Sequence, residues 1–216
     1  HWWFQARKQI LDQIISNIKL KKKNNILDFG SGSGVNLNML EKYGLVDVHE
    51  KNKFARIALK NKNKKIKNLY STLRIKKKFY DLILIADVIE HVRQPKNLLN
   101  NLKKFLKKDG RILITVPAYQ FLFSKKDEAL GHYRRYNKKL LKNELTEFNI
   151  EKISYFNTLL CTPIIIMTLL NKFLNRDYIK QVETTPNFIL NKVCYFIFSI
   201  EKYFLKYFNL PFGISI

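Results

Sequence analysis

Along the first 150 residues, two patterns of apolar and polar positions alternate. Short apolar runs, typical of buried strands, are separated by segments in which apolar residues return every three or four positions, as on one face of a helix. Helices are predicted at 2–19, 34–43, 51–63 and 95–107, and strands ending at Asp28 and spanning 45–50, 65–70, 80–86, 111–116 and 150–156. We expect Gly44 to end the second helix and an Asp109-Gly110 turn to end the fourth. Strands that alternate with helices predict an α/β fold: a mostly parallel sheet with helices on both faces and a ligand at the carboxyl ends of its strands.

The last third of the chain is richer in aromatic residues and poorer in charge. Residues 153–171 carry no charge over 19 positions, close to the ~20 needed to span a bilayer. Polar residues and a proline interrupt this stretch, so a buried or interfacial helix is favoured over a transmembrane one. A second apolar helix is predicted at 188–208, and 212–216 resembles the beginning of a last strand. Together they predict a helical extension: a cover for a lipid-like acceptor, a dimer face or a hairpin lying on a membrane.

Three glycines stand between the first predicted strand and the helix that follows it. Residues 28–34 read Asp-Phe-Gly-Ser-Gly-Ser-Gly, and glycine removes the Cβ that would keep a ligand away from the backbone. The fingerprint of dinucleotide sites would require a glycine where Val35 stands. The carboxylate of Asp28 would also repel a phosphate. The loop therefore predicts close contact with a ligand that presents hydroxyl or cationic groups.

A second acid follows the second predicted strand. Glu50 ends that strand, about 20 residues after the glycine loop, where an acid can accept hydrogen bonds from both hydroxyls of a ribose. Asp47 is the alternative, but it lies inside the strand rather than at its tip. We favour Glu50.

The glycine loop and the two acids resemble the first motifs of class I S-adenosylmethionine-dependent methyltransferases, which have a Rossmann-like sheet. The resemblance implies S-adenosylmethionine as the cofactor, because it carries a sulfonium, an amino group and a ribose but no phosphate. It further implies that the end of the fourth strand lies beside the cofactor. The implied cofactor-binding residues are Asp28, Gly30, Ser31, Gly32, Gly34, Glu50, Ala86 and Asp87.

Asp87, Glu90 and His91 form an acid-acid-imidazole cluster after the fourth strand. Three hypotheses are open: the cluster orients its neighbours, His91 is a general base that takes a proton from an acceptor hydroxyl, or the three residues bind a divalent cation such as Mg²⁺. The third rests on a resemblance of this segment to the ubiquinone-biosynthesis O-methyltransferases, which hold a cation with two acids and a histidine.

Two further segments resemble a narrower bacterial subfamily of class I methyltransferases, over essentially the whole chain. They are the Trp2-Trp3-Phe4 start and the Gly-His-Tyr-Arg-Arg-Tyr segment at 131–136. The insert 117–136 follows the fifth strand and is expected over the pocket. It supplies a second candidate base and candidate substrate contacts: His132, then Asp127, Arg134, Arg135 and Tyr136. In the alternative, the arginines pair with Asp127 or Glu128 and hold the insert in place.

The resulting prediction is a methyltransferase domain at 1–156, including the insert, followed by the apolar helical extension at 157–216. We expect O-methylation of a small-molecule, quinone-like, lipid or cell-surface glycan acceptor. A nucleic-acid methyltransferase is disfavoured, because residues 86–89 lack the Asn/Asp-Pro-Pro-aromatic turn that grips a flipped base. A nicotinamide oxidoreductase is weakened by Val35, and a membrane-associated scaffold without activity is the alternative outside enzymes.

The net charge of +23, from 40 basic and 17 acidic residues, invites a nucleic-acid partner. Because the lysines are scattered through helices and loops, we interpret them as solvated faces. Attraction to an anionic membrane through 157–210 is an alternative.

Cys161 and Cys194 lack metal-like spacing and predict thiols in a reducing compartment. The expected location is the cytoplasm, with peripheral contact at the inner face of the membrane; a missing leader is not excluded, because the chain begins at His1.

Overall fold

The computed structural model describes residues 1–18, 20–21, 23–62, 66–174 and 187–216 of the 216-residue chain. Within these residues helices and strands alternate up to residue 115, as the apolar periods predict, except that β3 is followed directly by β4. The strands are β1 (Asn24–Phe29), β2 (Gly44–His49), β3 (Leu69–Tyr70), β4 (Tyr80–Ala86) and β5 (Leu106–Thr115). The helices are α1 (Trp2–Asn17), α2 (Leu37–Leu40), α3 (Lys53–Lys62), α4 (Pro95–Lys103), α5 (Lys125–Ala129), α6 (Lys138–Glu144), α7 (Cys161–Phe173) and α8 (Phe188–Tyr207).

The five strands form one sheet in the order β3-β2-β1-β4-β5, and every neighbouring pair is parallel. Parallel neighbours require crossover connections, and the helices α2, α3 and α4 follow β1, β2 and β4 in sequence. The interior strand β4, which lies between β1 and β5, is almost entirely buried, as expected for a strand covered on both faces. This arrangement confirms the predicted Rossmann-like α/β fold.

Two glycines have roles other than those predicted. Gly44 does not end a helix: α2 stops at Leu40, and Gly44 is the first residue of β2. A Cβ at Gly44 would lie 2.2 Å from the carbonyl oxygen of Asn24 on β1, so glycine is needed for close strand pairing. The predicted helix 34–43 was too long because its first and last residues form turns.

The predicted Asp109-Gly110 turn was also misplaced. Helix α4 ends at Lys103, and β5 already begins at Leu106. Tyr80 pairs with Leu106 while Leu82 pairs with Arg111, so residues 107–110 form a bulge within β5 rather than a turn before it. The predicted third strand is shortened to β3, and its first predicted residue, 65, lies outside the described residues.

The chain packs as two compact units. The sheet unit consists of Ile18–Val88 and Lys96–Thr115 and contains the five strands. The helical unit consists of His1–Asn17, Ile89–Pro95 and Val116–Ile216. The predicted domain boundary between 156 and 157 stays a prediction.

In the helical unit, α1 packs along α8. Ala6 and Ile10 of α1 share a buried apolar cluster with Phe198 and Leu205 of α8. The predicted sixth strand is reduced to two single pairings, of Tyr155 with Leu210 and of Phe156 with Ser215, both antiparallel. The segment predicted to begin a last strand therefore does make strand-like contacts.

Candidate active site

The glycine loop after β1 has the backbone that its composition predicts. Gly30, Gly32 and Gly34 have φ angles of 75°, 55° and 79°, in the left-handed region. A Cβ at Gly30 would lie 2.6 Å from Cγ2 of Val88, so packing within the sheet unit excludes a side chain there. A Cβ at Gly32 would meet nothing within 4 Å, so the loop leaves open space at this position. The backbone of Gly32 can therefore contact a ligand directly.

Glu50 directly follows β2, and its carboxylate orders the loop. Oε2 accepts a hydrogen bond from the backbone N–H of Gly32 at 2.8 Å, and Oε1 accepts one from Asn52 at 2.7 Å. An ionised carboxylate has further lone pairs available for hydroxyl groups. The sequence did not predict the role of Asn52, because its backbone N–H, two residues after Glu50, donates the hydrogen bond and backbone donors cannot be recognised from side-chain types.

Asp47, the alternative to Glu50, is bonded inside the sheet unit. It accepts hydrogen bonds from the hydroxyl of Tyr80 at 2.8 Å and from Nδ2 of Asn68 at 2.9 Å. Burial, together with the hydrogen bond to Asp47, raises the pKa of Tyr80 far above its ordinary value. The geometry therefore favours Glu50 over Asp47 for ligand contact.

The other predicted cofactor residues also follow the carboxyl ends of neighbouring strands. Asp28 lies near the end of β1 and is buried. Ala86 ends β4, and Asp87 follows it with a φ of 55° and accepts a hydrogen bond from the hydroxyl of Thr115 at 3.0 Å. Ser31 Oγ is buried and has no hydrogen-bond partner among the described residues. An unsatisfied hydroxyl beside open glycine backbone suits a polar ligand such as S-adenosylmethionine.

A second cluster, in the helical unit, is built around Asp127 on α5. Arg135 donates to both carboxylate oxygens of Asp127, from Nε and Nη2, each at 2.9 Å. Nδ1 of His132 lies 2.8 Å from Oδ1, and the backbone N–H of Ser124 donates to Oδ2 at 3.0 Å. Burial acts to raise the pKa of Asp127, but the hydrogen bonds from His132 and Arg135 outweigh it and hold that pKa well below its ordinary value.

The ionised Asp127 fixes the tautomer of His132. A carboxylate only accepts hydrogen bonds, so Nδ1 must carry the hydrogen and Nε2 of the neutral ring is left as an acceptor. The two histidine rings of the cluster, His132 and His91, lie with centroids 4.5 Å apart at 82°. Burial and the nearby His132 lower the pKa of His91, while the carbonyls of Leu130 and Gly131 oppose that shift.

Glu90, near the two histidines in the helical unit, is completely buried. Neither of its carboxylate oxygens has a hydrogen-bond partner among the described residues. Burial raises the pKa of Glu90 to about 8, although the positive charges of Arg7 and Arg135 oppose the shift. Glu90 is therefore mostly protonated at neutral pH.

The ligand atoms of Glu90, His91 and His132 lie within 4.8 Å of one another. Among the described residues this is the group of three that could hold a metal ion. Asp87, the third predicted metal ligand, is not part of the group, and His132 takes its place. Two imidazoles with one carboxylate suit Zn²⁺, Mn²⁺ or Fe²⁺ better than Mg²⁺, which prefers oxygen ligands.

The remaining predicted substrate residues are engaged within the helical unit. Arg134 donates to the carbonyl oxygen of Arg93 at 3.0 Å. Tyr136 is fully buried, and its hydroxyl donates to the carbonyl oxygen of Ile89 at 3.4 Å. The alternative in which an arginine of the insert pairs with Asp127, rather than with substrate, matches the observed hydrogen bonds from Arg135 to Asp127. Direct acceptor contact by Asp127 or Tyr136 is disfavoured, because both side chains are buried and already bonded.

The protonated Glu90 makes a prediction about stability. Its pKa is about 8 in the folded chain and about 4.5 when unfolded, so the folded state holds an extra proton between these values. The contribution of the neutral Glu90 carboxyl to the free energy of unfolding is fully present below pH 4.5 and is lost as the pH rises through 8. We expect the stability of Glu90→Gln, which cannot ionise, to increase relative to that of the wild type across this range, by on the order of 5 kcal/mol.

Urea unfolding of both proteins at several pH values measures this difference. Glu128→Gln, an exposed glutamate of the same helical unit, is the matched control and should show a constant difference from wild type. A constant difference for Glu90→Gln would contradict the prediction.

The comparisons with known proteins agree with this geometry. A family model described as "Methyltransferase domain" matches residues 2–159, most of the chain. The chain belongs to the methyltransferase-domain family. The match covers the glycine loop, Glu50 and the cluster around Asp127. This confirms the predicted enzyme class, and the fold implies S-adenosylmethionine as the cofactor.

Individual relatives are distant in sequence. An uncharacterised protein of Methanocaldococcus jannaschii is 25% identical over 91% of this chain and 78% of its own length. The chain also resembles the structure of a SAM-dependent methyltransferase from Archaeoglobus fulgidus, with a TM-score of 0.59, 20% identity and coverage of 80% of this chain and 88% of that one. A SAM-dependent methyltransferase from Aquifex aeolicus gives a TM-score of 0.54 with 18% identity, and the match covers 66% of this chain and 81% of that one. These two structures support the fold.

Proposed function

We propose that this methyltransferase domain methylates a hydroxyl oxygen, with His132 as the general base. S-adenosylmethionine supplies a methyl group activated by its positive sulfur. The observation that carries the proposal is the Arg135–Asp127–His132 chain of hydrogen bonds. An imidazole held in one tautomer by Asp127, with Nε2 as the acceptor, suits proton removal from a hydroxyl.

The cofactor residues have distinct tasks in this proposal. Glu50 accepts the hydroxyl hydrogens of the ribose, and the backbone of Gly32 allows the cofactor to approach. Asp28 and Asp87 supply negative charge for the amino group or the sulfonium. Positioning then contributes most of the rate, since aligned reactants gain up to about 7 to 11 kcal/mol. His132 contributes a further ~10²- to 10⁴-fold when the acceptor is a hydroxyl.

The chemistry of the acceptor is tested by product analysis. The full chain is incubated with S-adenosylmethionine carrying a labelled methyl group and with matched phenol, alcohol and amine acceptors, including a hydroxylated quinone analogue. The proposal predicts labelled ethers and preference for the phenol or quinone-like compounds. Label in amines alone would contradict O-methylation while leaving methyl transfer intact.

A catalytic metal is the second candidate, favoured by the grouping of Glu90, His91 and His132. It would bind the acceptor oxygen as a Lewis acid in place of proton removal by His132. Activity should then be lost in a chelator and restored by Zn²⁺ or Mn²⁺. If His132 acts as a base, activity is unchanged by the chelator, and added Mg²⁺ has no effect.

The narrower subfamily and the likeness to ubiquinone-biosynthesis enzymes belong to the same proposal. They are supported by the Trp2-Trp3-Phe4 start, which lies on α1, and by the placement of the 131–136 segment beside His91 in the helical unit. The proposed location is the cytoplasm, which the free thiols of Cys161 and Cys194 support.

A further inference from the structure

Helix α8 has two apolar faces, whereas a surface helix of a globular protein usually has one. The inner face contains Phe198 and Leu205, which are buried against α1. The outer face is a row with helical spacing along the whole helix. Its exposed members, each 48% to 74% accessible, are Ile189, Val193, Phe196, Tyr203 and Tyr207. Because α8 has 20 residues, this outer row is about 30 Å long.

Helix α7 repeats the pattern over a shorter length. Ile166, Leu169, Leu170 and Phe173 recur at helical spacing and are exposed, Phe173 to 87%. Scattered apolar side chains on a surface need no explanation, but a row of exposed apolar side chains on each of two helices indicates a binding surface. We call the two rows the outer apolar face.

The exposed charges of the same two helices are all positive. α7 presents Lys172, and α8 presents Lys192 and Lys206. The single acid, Glu201, is buried on the inner face, where it accepts a hydrogen bond from the backbone N–H of Leu159. Lysines beside exposed aromatic rings are suited to a boundary between an apolar phase and anionic groups, since the long stems can bring the charge to the polar layer.

The charge of the chain selects among the partners that could cover this face. A second copy would bring a further net charge of +23 against the first. An anionic lipid surface instead attracts that charge and buries the apolar rows in the same contact. No helix in the described part of the chain is long and apolar enough to cross a membrane. A contact parallel to the surface needs no such span.

We propose that the outer apolar face of α7 and α8 binds the surface of an anionic lipid bilayer. Apolar side chains of the outer row enter the headgroup boundary, and Lys192 and Lys206 pair with lipid phosphates. This inference goes beyond methyl transfer and does not depend on it. The broader region predicted from the sequence, 157–210, includes residues 175–186, which lie outside the described residues and carry none of this argument.

Flotation of the full chain with vesicles tests the proposal. One set of vesicles is phosphatidylcholine alone, and the other contains about one-third phosphatidylglycerol. We expect the protein to float with the anionic vesicles and to remain largely free with the neutral ones. Raising the salt concentration should weaken binding, because screening removes the electrostatic part.

Two pairs of variants separate the apolar and electrostatic parts. Ile189→Asp with Phe196→Asp should lower anionic vesicle binding at least about tenfold. Its control, Phe54→Asp, alters a residue that is 80% exposed on α3 and should bind as the wild type does. Lys192→Glu with Lys206→Glu should also lower binding about tenfold or more. Lys53→Glu with Lys60→Glu on α3 gives the same net charge and should have a smaller effect.

Three outcomes would overturn the proposal. The first is absence of binding to both vesicle types, and the second is unchanged binding by the α8 variants. The third is a concentration-dependent dimer in sedimentation, broken by Ile189→Asp with Phe196→Asp, which would assign the face to a second copy. All variants change exposed residues, and circular dichroism at the assay temperature checks that they are folded.

Discussion

Replacing His132 with glutamine should lower kcat for a hydroxyl acceptor by about 10²- to 10⁴-fold while leaving cofactor affinity unchanged. Glutamine retains polar character but cannot take a proton near neutral pH. Because cofactor contacts are assigned to residues after β1, β2 and β4, the dissociation constant for S-adenosylmethionine should stay within about twofold of the wild type.

Two further variants locate the base. His91→Gln tests the histidine that the sequence favours first, and we expect a loss of less than about tenfold because His91 is not bonded to Asp127. Asp127→Asn should lower kcat because an amide can also donate and no longer fixes the tautomer of His132. Its fold must be checked by thermal unfolding, since Arg135 loses an ionised partner.

The pH–rate profile separates a base from a residue that only holds the structure. If His132 takes the proton, kcat of the wild type rises with pH along a limb that disappears in His132→Gln. A larger loss in His91→Gln than in His132→Gln would assign the base to His91. A retained limb in both variants would contradict general base catalysis by either histidine.

Replacing Glu50 with alanine should weaken S-adenosylmethionine binding by about 10- to 100-fold, with little change in kcat at saturating cofactor. The variant loses the acceptor proposed for the ribose hydroxyls, and the net loss of one hydrogen bond to a charged group, worth about 1.5 to 3 kcal/mol, corresponds to this range. It also leaves the N–H groups of Gly32 and Asn52 without their carboxylate, so the loop loses order.

Graded substitutions distinguish the charge of Glu50 from its shape. Glu50→Gln retains a carbonyl oxygen for Gly32 and should weaken binding less than alanine does. Asp109→Ala removes an exposed acid of the same sheet unit and should bind as the wild type. Equal affinity of Glu50→Ala and wild type would show that the ribose is held elsewhere and would reopen Asp47 as a candidate.

The sheet could be predicted largely because its signals are local. The apolar run of β4 and the short strands β1 and β2 follow from composition and period, and the glycine loop follows from the need for left-handed backbone. Gly44 and Gly110 were misassigned for a shared reason. Their lack of a Cβ serves contacts with Asn24 and Tyr80, residues far away in sequence, which no local pattern reveals.

The cluster around Asp127 was predictable in its members but not in its pairings. The sequence marks His132 and Arg135 as candidates through one short segment, and it leaves open whether the arginines bind substrate or Asp127. The choice depends on the turn after α5, which brings residues five and eight positions from Asp127 back to its carboxylate. Likewise, the grouping of Glu90 with His132 joins residues 42 positions apart, so the sequence could suggest Asp87 as a metal ligand instead.

Calorimetric titration of the full chain with S-adenosylmethionine, with NAD in a parallel experiment, tests the central claim most directly. The structure predicts saturable binding of one S-adenosylmethionine per chain and no measurable binding of NAD, because the loop lacks the third glycine of a dinucleotide site and Asp28 opposes a phosphate. A folded chain that binds neither compound would contradict the enzymatic account and favour a scaffold. Tighter binding of NAD would contradict the assignment of the loop.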